Sequence, residues 1–348
     1  MTSVRVAEVA DGSNAVRDAF HAVPADLYAS EPPGTAPTRE VVERNLSRPE
    51  FQAAQQAFVA RVDDRPAGRL VARLSPTLKT DNTAPFGLLG FFECRNDESV
   101  AGALFDAAIA WLRARGAGRV IGPMDGDTWH RYRINTGPYD RPPFPLEPWN
   151  PSHYGRLWES HGFSTLETYS SKWIDDVSVL LPALEPGLAR SEAQGVRVRQ
   201  LKRERLRDEL ALVHDLSSRI FADAFLYSPI PREEFLALYA GMERFLDPEL
   251  VLFAETETGD PVGFVFAYDD PARPAVHYKT IGVLAEWRRD GVAHALSHHV
   301  YRAALRRGRP QGNHALMRDD NRSQALDQGH GEQFRRYVLY EWPGQVAG

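Results

Sequence analysis

A chain of 348 residues is long for one domain and comfortable for two, each able to bury its own core. With 43% hydrophobic and 25% charged residues and a net charge of -6, it holds no apolar run long enough to span a bilayer and lacks the basic excess of a phosphate-coating nucleic-acid binder. Its single cysteine, Cys94, excludes an intramolecular disulfide and a cysteine-based metal cluster.

In chain order, the opening stretch MTSVRVAEVADGSNAVRDAF carries acids throughout and no continuous apolar segment, so a cytoplasmic location is expected. FVARVDDRPAGRLVA, Phe58 to Ala72, alternates apolar and polar residues around a polar turn and predicts a hairpin. The apolar FGLLGFFEC that follows predicts a strand, with Cys94 as a buried thiol at its end. Val100, Leu104, Ala108, Trp111 and Leu112 then fall at helical spacing, and Gly116 closes that helix. RVIGPMDGD is a short strand running into an acidic loop. That loop gathers Asp127, Trp129 and His130, an acidic and aromatic cluster able to hold a cationic amine or to fix a domain face. The Pro-rich DRPPFPLEPWN suits a rigid wall, and NPSHYGRLWESHGF suits a helix.

LPALEPGLARSEAQG, Leu181 to Gly195, has linker composition and divides the chain into domains 1–180 and 196–348. Beyond it the first pattern returns. FAETETGDPVGFVFA (Phe253 to Ala267) matches the first hairpin without a gap, AVHYKTIGV is the next strand, and Val292, Leu296, Val300 and Ala303 mark the next helix, closed by Gly308. NHALMRDDN and NRSQALDQGHGEQF complete the second copy. The repeat unit is a whole domain.

The two copies differ most between strand and helix. IGVLAEWRRDGVAHAL sets Arg288, Arg289, Asp290 and Gly291 at a helix start, where unpaired N–H groups and the helix dipole attract phosphate oxygens. Gly291 permits close approach, the small Ala293 leaves the backbone uncovered, and the arginines add charge. In the first copy Asn96, Asp97, Glu98 and Ser99 stand in these places, so two carboxylates would meet two phosphates.

Arg288, Gly291 and Ala293 reproduce the Arg/Gln-x-x-Gly-x-Gly/Ala pattern with which the GCN5-related N-acetyltransferase (GNAT) superfamily holds the pyrophosphate of acetyl-CoA. The resemblance spans about 196 to 340, and the repeat extends it to the N-terminal half, where Asn150, Tyr154, Gly162 and Phe163 resemble the family's last conserved element. It implies an α/β (α+β) chain of two GNAT-like domains in tandem, each a mixed, mostly antiparallel central sheet flanked by helices. The first has lost the cofactor loop and is expected to shape the acceptor site or the interdomain face. The second is expected to bind acetyl-CoA or a related acyl-CoA through Ile281, Gly282, Val283, the loop from Arg288 through Val292 to Ala293, and Asn321, and to acylate a small-molecule or peptide amine.

For the base, the resemblance points to the strand position held here by His277, which also suits a packed strand histidine, with Glu255 behind it. The acid is expected as a tyrosine near Gln328. That position lacks one: either another residue of the segment serves, Tyr337 being carried forward with His330 and Tyr340 beside it, or the thiolate leaves unaided. Two other readings remain: a non-catalytic acyl-CoA sensor, and an aminoacyl-tRNA-dependent peptidoglycan-type transferase, which the acidic balance disfavours. No metal site, nucleic-acid partner or membrane partner is expected, and monomer and homodimer are both compatible with two domains in one chain.

Overall fold

Each copy of the repeat folds as a hairpin, a strand, a helix and a parallel return strand. The structure is a computed structural model describing residues 3–9, 14–242 and 246–344. The chain divides into two units, residues 1–168 with 335–348, and residues 169–334.

In the first unit, β1 (Val4–Glu8), β2 (Gln55–Val62), β3 (Arg65–Lys79) and β4 (Pro85–Cys94) pair antiparallel in that order. Before the hairpin lie α1 (Asn14–Leu27), α2 (Arg39–Leu46) and the single turn α3 (Pro49–Gln52). Helix α4 (Glu98–Arg113) crosses from β4 to β5 (Arg119–Gly122), which lies parallel to β4. Then come β6 (Ile134–Gly137), α5 (Tyr154–Ser160) and β7 (Ser164–Ile174), which carries the chain into the second unit at Tyr169. On one face Leu104, Phe105 and Leu112 of α4 pack with Leu70, Leu89, Val120 and Trp158. On the other, Phe20 and Val23 of α1 pack against Val59, Val71 and Phe91.

The second unit continues with α6 (Leu181–Ala193), β8 (Arg197–Gln200), α7 (Leu206–Ile220), α8 (Arg232–Tyr239), β9 (Val251–Glu255), β10 (Pro261–Asp269), β11 (Ala275–Val283), α9 (Val292–Arg306) and β12 (Gln311–Arg318). Its sheet runs β8, β9, β10, β11, β12 and then residues 169–174 of β7, antiparallel except for the parallel pair β11 and β12. Helices α6 and α9 cover one face over Leu184, Val265, Val276 and Leu296, and α7 and α8 cover the other over Phe253, Phe264 and Phe266. The last strand, β13 (Glu332–Trp342), passes back at Arg335 to the first unit, where it pairs with β5 and β6.

Two expectations differ from this picture. The stretch 181–195 is α6 for most of its length: Pro182 sits in the first turn, where its missing N–H costs nothing, and Leu184, Gly187 and Ser191 return at helical spacing as a buried face. Its proline and glycine content imitates a linker. The division falls inside β7 and again inside β13, whereas the sequence suggests 1–180 and 196–348. No helix among the described residues is long and apolar enough to cross a membrane.

Candidate functional site

Strands β11 and β12 begin side by side and then part. Their parallel register runs from Ala275 and Gln311 to Tyr278 and His314 and stops there. Past that point Thr280, Ile281, Gly282 and Val283 keep their pairing with β10, while Met317 and Arg318 pair with Ser170 and Tyr169 on β7. Backbone groups on the facing edges of β11 and β12 therefore open into a cleft. Leu316, in the left-handed region at φ 61°, bends β12 away, and its N–H goes to Ser171 Oγ at 3.1 Å.

The cleft leads to the start of α9. Gly291 is the N-cap at φ 79°, a left-handed conformation that favours glycine, and no side chain caps the helix. The first N–H groups of α9 thus remain available to an anion, as the helix dipole favours. The missing Cβ of Gly291 has a second cause: placed there it would lie 2.0 Å from the carbonyl oxygen of Gly187 on α6. A Cβ on Gly187 would in turn lie 2.1 Å from His294 Nδ1. The two glycines are the crossing point of α6 and α9.

Arg288 is exposed yet braces the loop, donating from Nε to Val283 O at 3.2 Å and from Nη2 to Ile220 O at 3.4 Å. Arg289 is exposed as well and Asp290 is half-buried, and Arg289 O accepts from Arg190 Nη1 of α6 at 3.3 Å. Asn321 accepts from Ser323 N at 3.1 Å and so caps the turn Arg322–Asp327 that follows β12. Val292 is buried, and Ala293 is half-buried beside the helix start.

The residues singled out for chemistry are each engaged by partners of their own unit. His277 is fully buried on the face opposite α9, with Nε2 3.0 Å from Asp270 Oδ2 and Nδ1 3.0 Å from Asn313 Nδ2. Burial pushes its pKa below the ordinary histidine value despite Asp270, and both nitrogens are engaged, so the ring lacks a free lone pair for a substrate proton. Glu255 ends β9, bound to Arg199 Nε at 2.6 Å, two strands from the cleft. Tyr337 belongs to the first unit and donates to Glu147 Oε1 at 2.6 Å, where it is fully buried. Asp127 is committed within the same unit: it accepts from Trp129 N at 2.8 Å and His130 N at 3.1 Å, and Arg48 Nη2 approaches at 2.8 Å. Burial raises the Asp127 pKa, but His130 and Arg48 outweigh it and hold the carboxyl near about 2. Asp127 thus anchors the turn that carries Trp129 and His130.

At the apex of the cleft, on the α9 side, the rings of Tyr278, Tyr301 and His314 pack together. Tyr278 and Ser297 share a 2.7 Å hydroxyl contact, and Tyr301 OH lies 2.6 Å from His314 Nε2. Next to them Lys172 Nζ of β7 meets Asp327 Oδ2 at 2.9 Å. Sequence reading passed over this pair. Its one signal was compositional, a lysine in a chain whose basic residues are nearly all arginine.

The equivalent loop of the first unit is filled from within. Asp97 caps α4, accepting at Oδ1 from Ser99 N at 3.0 Å, Ser99 Oγ at 2.6 Å and Val100 N at 3.3 Å. The Ser99 hydrogen bond, with Arg95 and the two backbone N–H groups, holds its pKa down at about 2 against partial burial. Strands β4 and β5 also part after Leu88 and Ile121, and there Phe91 N donates to Asp125 Oδ1 at 2.7 Å. Two carboxylates of the chain thus take contacts that the second unit leaves open.

Residues 212–326 match the model of the Acetyltransferase (GNAT) family. Bacterial ceramide synthase from Caulobacter vibrioides is 26% identical over 253 residues, covering 71% of this chain and 65% of that protein. Protein YghO from Escherichia coli is 24% identical over 261 residues, covering 71% and 64%. The chain thus spans slightly less than two thirds of the length of these curated relatives. Among solved structures, a tandem GNAT protein from the clavulanic acid biosynthesis pathway superposes with a TM-score of 0.54 at 14% identity, over 97% of this chain and 98% of its own. A probable N-acyltransferase from Enterococcus faecalis gives 0.57 at 10% identity, over 98% and 72%. The family match thus lies within the second unit, and the chain shares its fold, parted strands and glycine-started helix included, with solved tandem GNAT structures.

Proposed function

We propose that the second unit binds an acyl-CoA and that the protein transfers its acyl group to an amine. The observation that carries this reading is the parting of β11 and β12 after Tyr278 and His314, directly beside an uncapped helix start at Gly291. The residues present fit the group. The first N–H groups of α9 would hold its phosphates, Arg289 would add charge, Arg288 would keep the loop in place, and the open edge of Thr280 to Val283 would receive the thioester arm. Acyl-CoA supplies an activated carbonyl, and backbone N–H groups on that edge polarise it.

The opposite face is walled by the connection between α7 and α8, where Ile230 is buried and the Arg318 guanidinium lies 5.2 Å from the Phe225 ring. The apolar Phe225, Leu226 and Ile230 favour a donor or acceptor bearing a hydrocarbon chain. The relative named for ceramide, the amide of a long-chain amino alcohol, supports the same direction.

Calorimetry with acetyl-CoA and with a long-chain acyl-CoA, on the wild type and on Arg289→Ala, tests the reading. One site per chain is expected, weaker in the variant, with tighter binding of the long-chain donor. Two sites would show that the Asp97 loop binds CoA as well, and absence of binding would leave an inherited scaffold. Thiol release with a panel of amines then separates an enzyme from a sensor.

A further inference from the structure

The turn after β12 is where the family resemblance predicts a tyrosine able to protonate the departing sulfur. Gln328 at that position is exposed and left-handed at φ 52°, closing the turn. The residue directed inward is its neighbour Asp327, whose side chain is 3% exposed and whose Oδ2 lies 2.9 Å from Lys172 Nζ. Gly331 makes room for the pair, since a Cβ there would lie 2.5 Å from Asp327 Oδ2 and 3.1 Å from Lys172 Cβ.

The register places this pair at the cleft. Lys172 on β7 stands opposite His314 on β12, so the two side chains share a face. His314 packs on Tyr278 and Tyr301 of β11 and α9, which identifies that face as the one that α9 covers. It is also the last residue of β12 paired with β11. Lys172 is therefore one strand spacing, about 5 Å, from the strand that borders the apex. The nearby hydroxyls of Tyr278 and Tyr301 are buried and bound to Ser297 and His314. The Lys172 side chain, by contrast, keeps 21% of its surface exposed.

Composition adds an independent argument. Only Lys79, Lys172, Lys202 and Lys279 are lysines among 41 basic residues. An ion pair that merely braced the turn would be served as well or better by arginine, with its forked donors; lysine differs in that it can give up a proton.

On the reading that the cleft binds acyl-CoA, we propose that Lys172, oriented by Asp327, is the proton donor to the leaving sulfur. As the carbon–sulfur bond breaks, its electron pair stays on sulfur and a proton passes from Lys172 Nζ to form the free thiol. The neutral Lys172 amine is recharged by the proton that the acceptor nitrogen loses on becoming an amide. Asp327 is a positioning residue that holds Nζ on the cleft side.

The test uses the full chain labelled with 13Cε-lysine, whose four lysine signals are assigned by substitution, with Lys172→Arg removing one. Free CoA and desulfo-CoA are titrated while calorimetry reports binding of each. CoA is expected to shift the Lys172 signal and desulfo-CoA to leave it nearly in place. In thiol-release assays Lys172→Arg, which keeps a charge opposite Asp327, is expected to retain its melting temperature and its KM for acyl-CoA while kcat falls about 100-fold. A Lys172 signal that ignores bound CoA, or a Lys172→Arg enzyme with wild-type kcat, overturns the assignment and leaves the acyl-CoA site standing. Failure of CoA to bind at all overturns the site reading, and the proton donor with it.

Discussion

His314 shows how a single side chain can be structural and still set a pH dependence. Burial among Tyr278, Tyr301 and the Lys172–Asp327 pair pushes its pKa down to about 4 from an ordinary 6.5. Between those values the unfolded chain binds a proton that the folded chain refuses, so stability is full above pH 6.5 and is lost as pH falls toward 4. From pH 7 to pH 5 this residue alone accounts for a loss of about 2 kcal/mol. His314→Gln, whose amide can still accept from Tyr301, is expected to flatten the fall in melting temperature over that range; parallel curves for the two proteins would remove the argument. Asp97 makes the reverse case, a carboxylate charged at every ordinary pH that satisfies the start of α4. Asp97→Ala is expected to cost about 1 kcal/mol, read as a lower urea midpoint. Equal midpoints would mean that solvent serves those N–H groups as well.

Among the elements, α6 and α9 are joined where neither has a side chain. Gly187 lies within a helix, where replacing glycine by alanine ordinarily stabilises by about 0.5–1 kcal/mol. Here the sign reverses, because the new Cβ would fall 2.1 Å from His294 Nδ1 and 2.5 Å from its Cβ. Gly187→Ala is expected to cost about 1–3 kcal/mol and, by displacing the start of α9, to weaken CoA binding about tenfold. A stabilised variant with unchanged binding would show that α6 yields freely. The hairpins, the strand before the loop and both long helices were legible because their periodicity is strong. The glycine-started helix after β11 was legible because glycine there answers to a local backbone need. What stayed hidden depends on partners distant in sequence. Nothing near Gly187 announces His294, nothing near Lys172 announces Asp327, and the polar engagement of His277 by Asp270 and Asn313 appears only when β10, β11 and β12 are assembled.

For the whole molecule the informative feature is where the chain crosses from one unit to the other. A division by repeats cuts once, near α6, but β13 carries residues from Arg335 back to the first unit. There Arg335 Nε lies 3.0 Å from Glu147 Oε1, both side chains fully buried, and Tyr337 donates to the same oxygen at 2.6 Å. Tyr340 stacks on Trp158 with ring centroids 5.8 Å apart. A fragment of residues 1–168 would keep Glu147 while losing Arg335 and Tyr337, and stranding one member of a buried ion pair costs about 3–5 kcal/mol. It would also lose Val338 and Tyr340 from the core beneath α4. Residues 169–334 instead contain β8 to β12 whole, with the half of β7 that pairs with β12. The fragment 169–334 is therefore expected to unfold cooperatively by near-ultraviolet circular dichroism. The fragment 1–168 is expected to lack a cooperative transition until a peptide of residues 332–344 is added. Cooperative folding of 1–168 alone would show that the returning strand is an ornament on a core already complete, because burial of Glu147 would then be tolerated without Arg335.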